Sequence, residues 1–379
     1  MIIYLLIISL SYSIMILGFT YFFYLSLSEK VKYDVVTSIK FSIVVAARNE
    51  AHQIHFLLDA LSKQSYDRNL YEVIIADDSS TDNTVEIVKN YINNNPEINI
   101  KLLQIENQEN RSAFKKIALT KAINMSEGEV IITTDADCVF SEDWLLSISK
   151  SYLSKKSKLI IGMIAYHNDN NSFEKMQHLE FLSLIASGIG SLRMGYPTMC
   201  NAANLIFEKK VFIDLDGYKS DINVTSGDDI LFLLKVKKRY GISAISFITD
   251  KNSIVYTFAC KTVSEFINQR IRWASKAKVY SDIPLILVTA IVFIFNFTIG
   301  MLFLSAFFSV NYLFCAMVLA VVKMIVDFPV LYLIATYINR RDLLKFYLPL
   351  QFLYFPYVML IGTLSLFMPY KWKGRTVKI

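Results

Sequence analysis

Paired acidic residues follow two apolar runs in the middle of the chain. Asp77 and Asp78 end the run YEVIIADD, and Asp135 and Asp137 lie in TTDADC at the end of another run. Residues i and i+2 of a strand project to one face, so Asp135 and Asp137 are predicted to present their carboxylates together. Such a pair suits a hard divalent cation, Mg²⁺ or Mn²⁺, whose coordination is completed by water and phosphate oxygens. A bare Asp-x-Asp is also common in solvated turns, so it needs supporting residues.

A second group of polar residues lies in the segment TVSEFINQRIRW. Thr262 and Glu265 have the spacing of a capping box, which predicts a helix start. Gln269, Arg272 and Trp273 then fall at i, i+3 and i+4 on one face of that helix. An amide, a guanidinium and an indole in this arrangement suit binding of a diphosphate and stacking on a ring. The alternative interpretation is an amphipathic helix at a membrane interface, with the indole at the headgroup level.

The segment between these two groups contains three further elements. Residues 172–195 form a mostly apolar helical pattern, either a core helix or a helix on the membrane interface. Residues 198–212 are predicted to be a strand. Asp228 and Asp229 then begin a predicted helix, where acids are ordinary because the helix dipole favours them, so a functional interpretation requires a partner motif.

Four apolar runs predict the strands that position these residues, at 41–47, 71–77, 98–105 and 129–135. Helical patterns follow the first three strands. Alternation of this kind predicts an α/β fold with a doubly wound, mostly parallel sheet. Ligands of such sheets bind at the carboxyl ends of the strands, which is where the acidic pairs lie.

Several classes of site are disfavoured by the sequence. Neither GxGxxG nor GxxxxGK[ST] follows the first strand, which argues against a Rossmann dinucleotide site or a P-loop. Lys115 and Lys116 could contact phosphates, although solvated helix charges are the ordinary interpretation. The net charge of +6 includes no basic face interleaved with aromatics, so no nucleic-acid partner is expected. The four cysteines include no CxxC pair, which fits a reducing, cytosolic location.

The apolar residues, 54% of the chain, concentrate at its two ends. Residues 2–27 are uncharged and long enough to span a membrane, and they lack the basic start and cleavage site of a signal peptide. Residues 283–338 are long enough to cross twice, with a break near residues 309–311. Lysines after residue 28 place the following domain in the cytoplasm by the positive-inside rule.

The last apolar stretch, residues 348–367, contains two prolines and precedes a basic tail. A full crossing would leave that tail outside, so this stretch is predicted to be re-entrant or interfacial. The predicted division is an anchor at 1–28, a cytosolic domain at 29–282, two spans at 283–338, the re-entrant or interfacial segment at 348–367 and a tail at 368–379.

Lys323 and Asp327 lie four residues apart inside the second of the C-terminal spans. Charges at that depth are costly, and at this spacing they can neutralise each other on one helix face. Mutual neutralisation is the preferred interpretation. The alternative is that the pair lines a path for an acceptor.

Taken in order, these motifs resemble the inverting family-2 glycosyltransferases of GT-A fold. The similarity is to the membrane-bound, QxxRW-containing branch that includes cellulose, chitin and hyaluronan synthases. It covers residues 41–282 and the flanking spans. The residues that carry it are Asn49–Glu50, DDSSTD from Asp77, Lys115 before Ala118–Leu119, Asp135 with Asp137, Asp228–Asp229, and Gln269, Arg272 and Trp273.

The resemblance implies a role for each matched position. Asp229 would be the general base, and Asp137 with Asp135 would hold Mg²⁺ or Mn²⁺. Asp78 would accept from the nucleobase. The donor side would comprise Ala46, Arg48, Glu50, Asp78, Lys115 and Asp135. The remaining residues, Gln269, Arg272 and Trp273, would hold the diphosphate and the acceptor end.

The expected activity is transfer of a sugar from a nucleoside-diphosphate sugar, with UDP favoured, to a hydroxyl of a lipid-linked or membrane-associated acceptor. The sequence departs from the family pattern in two places: SGDD replaces the common TED, and NAAN replaces a more glycine-rich stretch. Few C-terminal spans favour one or few additions. A processive polysaccharide synthase is the alternative, and a non-catalytic sugar-nucleotide-binding partner of a membrane complex is the alternative of another class.

Overall fold

The computed structural model describes residues 1–29, 39–106, 113–167, 169–219, 227–372 and 375–377. The strands are β1 (Phe41–Ala47), β2 (Tyr71–Asp77), β3 (Ile100–Gln104), β4 (Val130–Asp135), β5 (Val139–Phe140), β6 (Leu159–Gly162), β7 (Ile164–Tyr166), β8 (Leu205–Glu208), β9 (Ile245–Ile248), β10 (Val255–Thr257), β11 (Tyr370–Trp372) and β12 (Arg375–Val377). The helices of the α/β domain are α2 (Ile54–Ser62), α3 (Thr84–Asn94), α4 (Phe114–Met125), α5 (Trp144–Lys155), α6 (Ser172–Arg193), α7 (Lys209–Asp214), α8 (Asp228–Tyr240) and α9 (Val263–Ser275). Four long apolar helices flank them: α1 (Ile2–Leu27), α10 (Ile283–Ser305), α11 (Val310–Tyr337) and α12 (Tyr347–Phe367).

A seven-stranded sheet in the order β3-β2-β1-β4-β8-β6-β9 forms the centre of the domain. The first four strands of that order are mutually parallel, β8 is antiparallel to both neighbours, and β9 is parallel to β6. The prediction of an α/β, doubly wound, mostly parallel sheet is confirmed. Strands β1 and β2 are almost wholly buried because helices cover both faces, as expected for continuous apolar runs.

The register of the parallel strands brings the predicted ligand residues to one edge. Ala46 of β1 is the Cα partner of Asp135 of β4, and Ala47 is the partner of Asp77 of β2. A second, three-stranded sheet in the order β5-β10-β7 extends this edge. Its strand β10 ends at Thr257, next to the loop that follows β4.

One predicted element is wrong in extent. The strand expected over residues 198–212 is confined to β8, because residues 202–204 form a 3₁₀ turn and α7 begins at Lys209. The side chain of Asn201 accepts from the backbone N–H of Ala203, which favours the turn over an extended chain.

Helix α6 joins the α/β domain to the apolar helices. It is buried over most of its length and packs against α1 and α11, which supports the core interpretation. The contact with α1 is close, since a Cβ added at Gly190 would lie 2.0 Å from the carbonyl oxygen of Phe19. Glycine lets the two helix backbones approach at this crossing.

Four helices are long and apolar enough to cross a membrane: α1, α10, α11 and the segment that contains α12. The break predicted between the two C-terminal spans is present, and the side chain of Ser309 caps α11 by accepting from the backbone N–H of Asn311. Ion pairs connect the C-terminal ends of α1 and α11 to the α/β domain. Glu29 pairs with Arg193, and Arg340 pairs with Asp169.

Both ends of α12 contact residues of the α/β domain or of the segment that leads out of it. Tyr347, at its start, belongs to the same hydrophobic core as the central sheet. At its end, the carbonyl oxygen of Leu366 accepts from Lys278 Nζ at 2.7 Å, and Lys278 lies between α9 and α10. Between these ends, Ile361 packs against Ile271 of α9.

Candidate active site

The loops after β1 and β2 are joined by side-chain-to-backbone hydrogen bonds. Asn49 Oδ1 accepts from the Thr81 N–H at 2.8 Å, and the Asn49 N–H donates to Ser80 Oγ at 2.9 Å. The Glu50 N–H donates to Thr84 Oγ1 at 2.8 Å. Asn49 adopts a positive φ of 52°, a conformation that asparagine tolerates better than most residues. The Asn-Glu and DDSSTD motifs therefore build one rigid rim.

Arg48 and Asp78 form the inner wall of this rim. Arg48 donates to the carbonyl oxygens of Asp78 and Ser79, and its guanidinium lies 3.9 Å from the Asp78 carboxylate. Both side chains are largely buried. Ala46, Arg48, Glu50 and Asp78 line one cavity of about 540 Å³.

Lys115, in the first turn of α4, bridges two acidic segments. Its ammonium donates to Asp135 Oδ1 at 2.8 Å and lies 3.8 Å from Asp228. Burial alone would lower the pKa of Lys115, but Asp135 and Asp228 outweigh burial and raise that pKa above its usual value. The ammonium therefore stays charged between the two carboxylates, and Lys115 is not merely a solvated helix charge.

Asp137 lies at the start of the loop after β4, where β10 supports it. Its Oδ2 accepts from Thr257 Oγ1 at 2.9 Å. Asp135 and Asp137 line the same cavity, so the Asp-x-Asp pair presents two carboxylates to one space. Within the described ranges no cluster of three or more His, Cys, Asp or Glu residues could hold a metal ion. The donor set fits a cation that takes one or two carboxylates and completes its shell with phosphate and water.

Helix α9 begins with the predicted capping box, in which Thr262 accepts from the Glu265 N–H and Glu265 accepts from the Thr262 N–H. Gln269 and Arg272 face the cavity of about 540 Å³ and also a second cavity that extends towards the apolar helices. The Arg272 guanidinium makes no hydrogen bond or ion pair with any residue the structure describes. It is therefore available for a bound anion.

Arg270, between these two residues, lines only the second cavity. It is 2% exposed and pairs with Glu180 of α6, and it stacks on the Trp273 ring at 4.2 Å. Its NH1 donates to Gln269 Oε1 at 2.6 Å. Because the oxygen of the Gln269 amide is occupied, its NH₂ group is left to face the cavities.

Asp229 lies in the first turn of α8, where Gly227 with a φ of 87° starts the helix. Its Oδ1 accepts from Lys276 Nζ at 3.1 Å and from the Ile230 N–H at 2.7 Å. The neighbouring Asp228 is buried. Burial raises the pKa of the Asp228 carboxyl, but the ammonium groups of Lys115 and Lys276 outweigh it and hold that pKa below its usual range.

The second cavity, of about 570 Å³, extends from these carboxylates into the space between the apolar helices. Asp229, Trp273 and Lys276 line it, and none of them lines the first cavity. The two cavities share five lining residues, which form their common wall: Lys115, Asp135, Asp137, Gln269 and Arg272. A group bound in one cavity therefore faces a group bound in the other across this wall.

The structure brings together all the predicted site residues, although it divides them between two cavities. The first holds Ala46, Arg48, Glu50 and Asp78, and the second holds Asp229 and Trp273.

Sequence reasoning missed three contributors: Thr257, Lys276 and the pair of Arg270 with Glu180. Only Glu180 left a signal, because an acid inside an otherwise apolar helix needs a buried partner.

Two family models match the chain. Glycosyl transferase family 2 matches residues 42–215, and Glycosyl transferase family group 2 matches residues 130–372, more than half of the chain. Together the matches span the central sheet, the first cavity, the part of the second cavity that α1 does not line, and the C-terminal apolar helices.

Among curated relatives, the chain is 27% identical over 246 residues to a beta-monoglucosyldiacylglycerol synthase of Nostoc sp., covering 62% of this chain and 48% of that protein. It is 26% identical over 272 residues to a poly-beta-1,6-N-acetyl-D-glucosamine synthase of Staphylococcus aureus, covering 68% and 61%. The chain thus spans less than two thirds of the length of either relative.

Among solved structures, the fold is similar to the mannosyltransferase PcManGT from Pyrobaculum calidifontis in complex with GDP-Man and Mn²⁺. The TM-score is 0.59 at 17% identity, and the alignment covers 96% of this chain and 99% of that one. Because its central sheet, its site geometry and the match over most of its length agree, the chain belongs to Glycosyl transferase family group 2 and is a glycosyltransferase.

Proposed function

We propose that this protein is an inverting glycosyltransferase that moves a sugar from a nucleoside-diphosphate sugar to a hydroxyl of a membrane-associated acceptor. The observation that carries the proposal is the common wall of the two cavities. The donor occupies the cavity of about 540 Å³ at the strand ends, and the acceptor occupies the cavity of about 570 Å³ that continues between the apolar helices. The anomeric carbon lies at the wall between them.

Asp229 is the general base in this proposal. A sugar or lipid hydroxyl is a weak nucleophile, and a positioned carboxylate that accepts its proton contributes about 10²–10⁴-fold. Lys276 holds one Asp229 oxygen, so the carboxylate is oriented rather than free to rotate. Attack from the acceptor cavity, opposite the donor, inverts the anomeric centre.

Arg272 stabilises the departing nucleoside diphosphate. Its guanidinium lines both cavities without an ion-pair partner in the described part of the chain, and bidentate geometry suits phosphate oxygens. Gln269 donates beside it. Charge that develops on the leaving group is thus met by groups already in place.

Asp135 and Asp137 are the residues that would hold a divalent cation, Mg²⁺ or Mn²⁺. When bound, such a cation neutralises charge on the diphosphate as the sugar leaves. The two carboxylates line the same cavity and face it from the end of β4. Asp78 and Arg48 lie deeper on the donor side, where Asp78 would accept from the nucleobase.

The lining of the acceptor cavity favours a lipid or lipid-linked acceptor. Much of its lining comes from α1, α10, α11 and α12, so an acceptor reaching Asp229 through it would be embedded among apolar helices. The name of the Nostoc relative, a glucosyldiacylglycerol synthase, points to the same class.

The proposed topology has the catalytic domain in the cytoplasm, one span before it and two after it. Helix α12 would remain re-entrant or interfacial, because both its ends contact the catalytic-domain side. A fluorescent or enzymatic reporter fused after Ile379 should read cytoplasmic. An external reading would show that α12 crosses.

The test of the activity is a panel of sugar nucleotides supplied to membranes that contain the protein, with UDP-sugars first and GDP-sugars second. Release of nucleoside diphosphate and a radiolabelled product in the organic phase are the expected results. Membranes with the Asp229→Asn variant provide the control. Failure of every donor to release nucleotide above that control would sink the proposal.

A second candidate function is processive synthesis of a polysaccharide, which the name of the Staphylococcus relative favours. Product length separates the two. One or few added sugars support the single-transfer proposal, whereas a ladder of long chains from the same labelled donor would replace it.

A further inference from the structure

A polar cluster lies in the part of the acceptor cavity that is lined by the apolar helices. It consists of Tyr12, Lys323, Asp327, Gln351 and Tyr354, and all five line that cavity. Three different helices contribute, α1, α11 and α12. None of these residues lines the donor cavity.

The cluster is connected by short polar contacts. Lys323 pairs with Asp327 and donates to Gln351 Oε1 at 2.9 Å. Tyr12 Oη donates to Asp327 Oδ1 at 2.8 Å, and Lys323 Nζ lies 4.3 Å from the centroid of the Tyr354 ring. The pairing of Lys323 with Asp327 is the one expected from their spacing.

Mutual neutralisation and helix association do not by themselves explain why the charged side chains of Lys323 and Asp327 lie in this cluster. The same bundle joins α1 to α10 through a neutral hydrogen bond of 2.8 Å between Tyr4 and Thr298, outside the cavity. Ionised groups in apolar surroundings are costly and usually mark a functional path. Here the ions stand on the cavity wall, so a ligand in the cavity can use them.

The ion pairs in and beside this cluster select the ligand. Lys323 is matched by Asp327, and Arg270 is matched by Glu180, so these four lining ions sum to zero. A phosphate-linked lipid would place a further negative charge beside Asp327 in a medium that screens it poorly. Hydroxyl and ester oxygens can instead accept from the ammonium or the Gln351 amide without adding charge.

We infer that the cluster of Tyr12, Lys323, Asp327, Gln351 and Tyr354 is a binding site for the uncharged polar part of a glycerolipid. The acceptor class is therefore a hydroxylated lipid without phosphate, such as diacylglycerol or a neutral glycolipid. Its acyl chains lie along the apolar lining from α10 and α12, which includes Val288, Val292 and Ile361. This inference rests on the proposed function for the identity of the cavity as the acceptor side.

The test measures lipid binding by the full chain purified in detergent. Diacylglycerol and phosphatidic acid with identical acyl chains are the two probes, because they differ only in the phosphate. Binding is followed by the shift in the unfolding temperature during lipid titration. Diacylglycerol should stabilise the protein at lower concentration than phosphatidic acid.

Matched variants of α1 and α12 separate the cluster from the general stability of the helix bundle. Gln351→Leu removes a donor to the lipid oxygens, and Tyr12→Phe removes the hydrogen bond that holds Asp327. Each variant should weaken diacylglycerol binding by up to about tenfold, as expected for the loss of one hydrogen bond. Tyr4→Phe removes the equivalent interhelical bond outside the cavity and should bind like the unaltered protein.

Two results would overturn the inference: phosphatidic acid binding as tightly as diacylglycerol, or wild-type diacylglycerol affinity in both Tyr12→Phe and Gln351→Leu. Nucleoside diphosphate release by the unaltered protein in membranes, which supply the acceptor that the transfer needs, is measured in parallel and reports on the transferase reaction. Release without selective diacylglycerol binding rejects this inference and leaves the proposed transferase intact. Selective binding without release for any donor rejects the transferase while the lipid site stands.

Discussion

The two cavities have similar volumes, about 540 and 570 Å³, but they are built differently. The donor cavity is formed by the start of α9 and by loops at the strand ends, which are joined by hydrogen bonds such as the one from the Thr81 N–H to Asn49. The acceptor cavity is formed by helices from both ends of the chain, and its charges are buried in pairs. The first cavity needs only elements of the α/β domain, whereas the second also needs helices from both ends of the chain.

This difference indicates how each side tolerates change. On the donor side, few buried charged side chains lack a hydrogen bond to the backbone. Substitutions there should therefore change the affinity for the donor. The acceptor side depends on ion pairs such as Arg270 with Glu180, so its variants should affect folding as well as transfer. The predictions below separate these effects, beginning with the largest.

Asp229→Asn should reduce kcat for transfer by about 10²–10⁴-fold, because the amide cannot accept the acceptor proton. Donor affinity should change little, because Asp229 lines the acceptor cavity and not the donor cavity. Single-turnover transfer and equilibrium binding of the sugar nucleotide measure the two quantities. Full turnover in this variant would remove Asp229 from the mechanism.

Arg272→Lys should lower kcat by about 10²-fold, the size of effect found when one stabiliser of developing charge is lost. Lysine keeps the charge but not the two-pronged geometry. Arg239→Lys, an exposed change at the end of α8, provides the matched control and should have wild-type rates. Equal rates in the two variants would mean that Arg272 does not contact the leaving group.

Arg270→Met should destabilise the protein by about 3–5 kcal/mol, because it leaves Glu180 buried without its partner. The double variant with Glu180→Leu should recover much of that loss. Arg68→Met breaks an exposed ion pair with Glu97 and should cost less than about 1 kcal/mol. Denaturation in detergent would measure all three, and a double variant as unstable as the single one would contradict the pairing argument.

Asp78→Asn should raise KM for the sugar nucleotide by about tenfold, a typical effect of weakening one hydrogen bond, with kcat nearly unchanged. Its carboxylate lines the donor cavity alone. Because the asparagine retains an acceptor oxygen, the effect should be the smallest of the four. Steady-state kinetics over a range of donor concentrations would test it, and a fall in kcat alone would place Asp78 in the chemical step.

Much of the donor side could be predicted from the chain itself. The runs at 41–47 and 71–77 are continuous apolar segments, and they form β1 and β2 with the expected bounds. Asp135 ends β4 as expected, whereas Asp137 lies in the turn after it, although both line one cavity. The capping box places Gln269 and Arg272 on α9. These features depend on residues within a few positions of each other, so local periodicity and spacing are sufficient.

Only the tertiary structure decided which distant residues meet. Lys276 approaches Asp229 across 47 positions, and Arg270 reaches Glu180 across 90. The pair of Lys323 with Asp327 was predictable because it is local, but its contacts with Tyr12 and Gln351 were not. Sequence spacing determines neighbours along one helix or strand. Neighbours on different helices depend on how the apolar faces pack. That packing brings two motifs that are separate in sequence together, where they form the common wall between the two cavities.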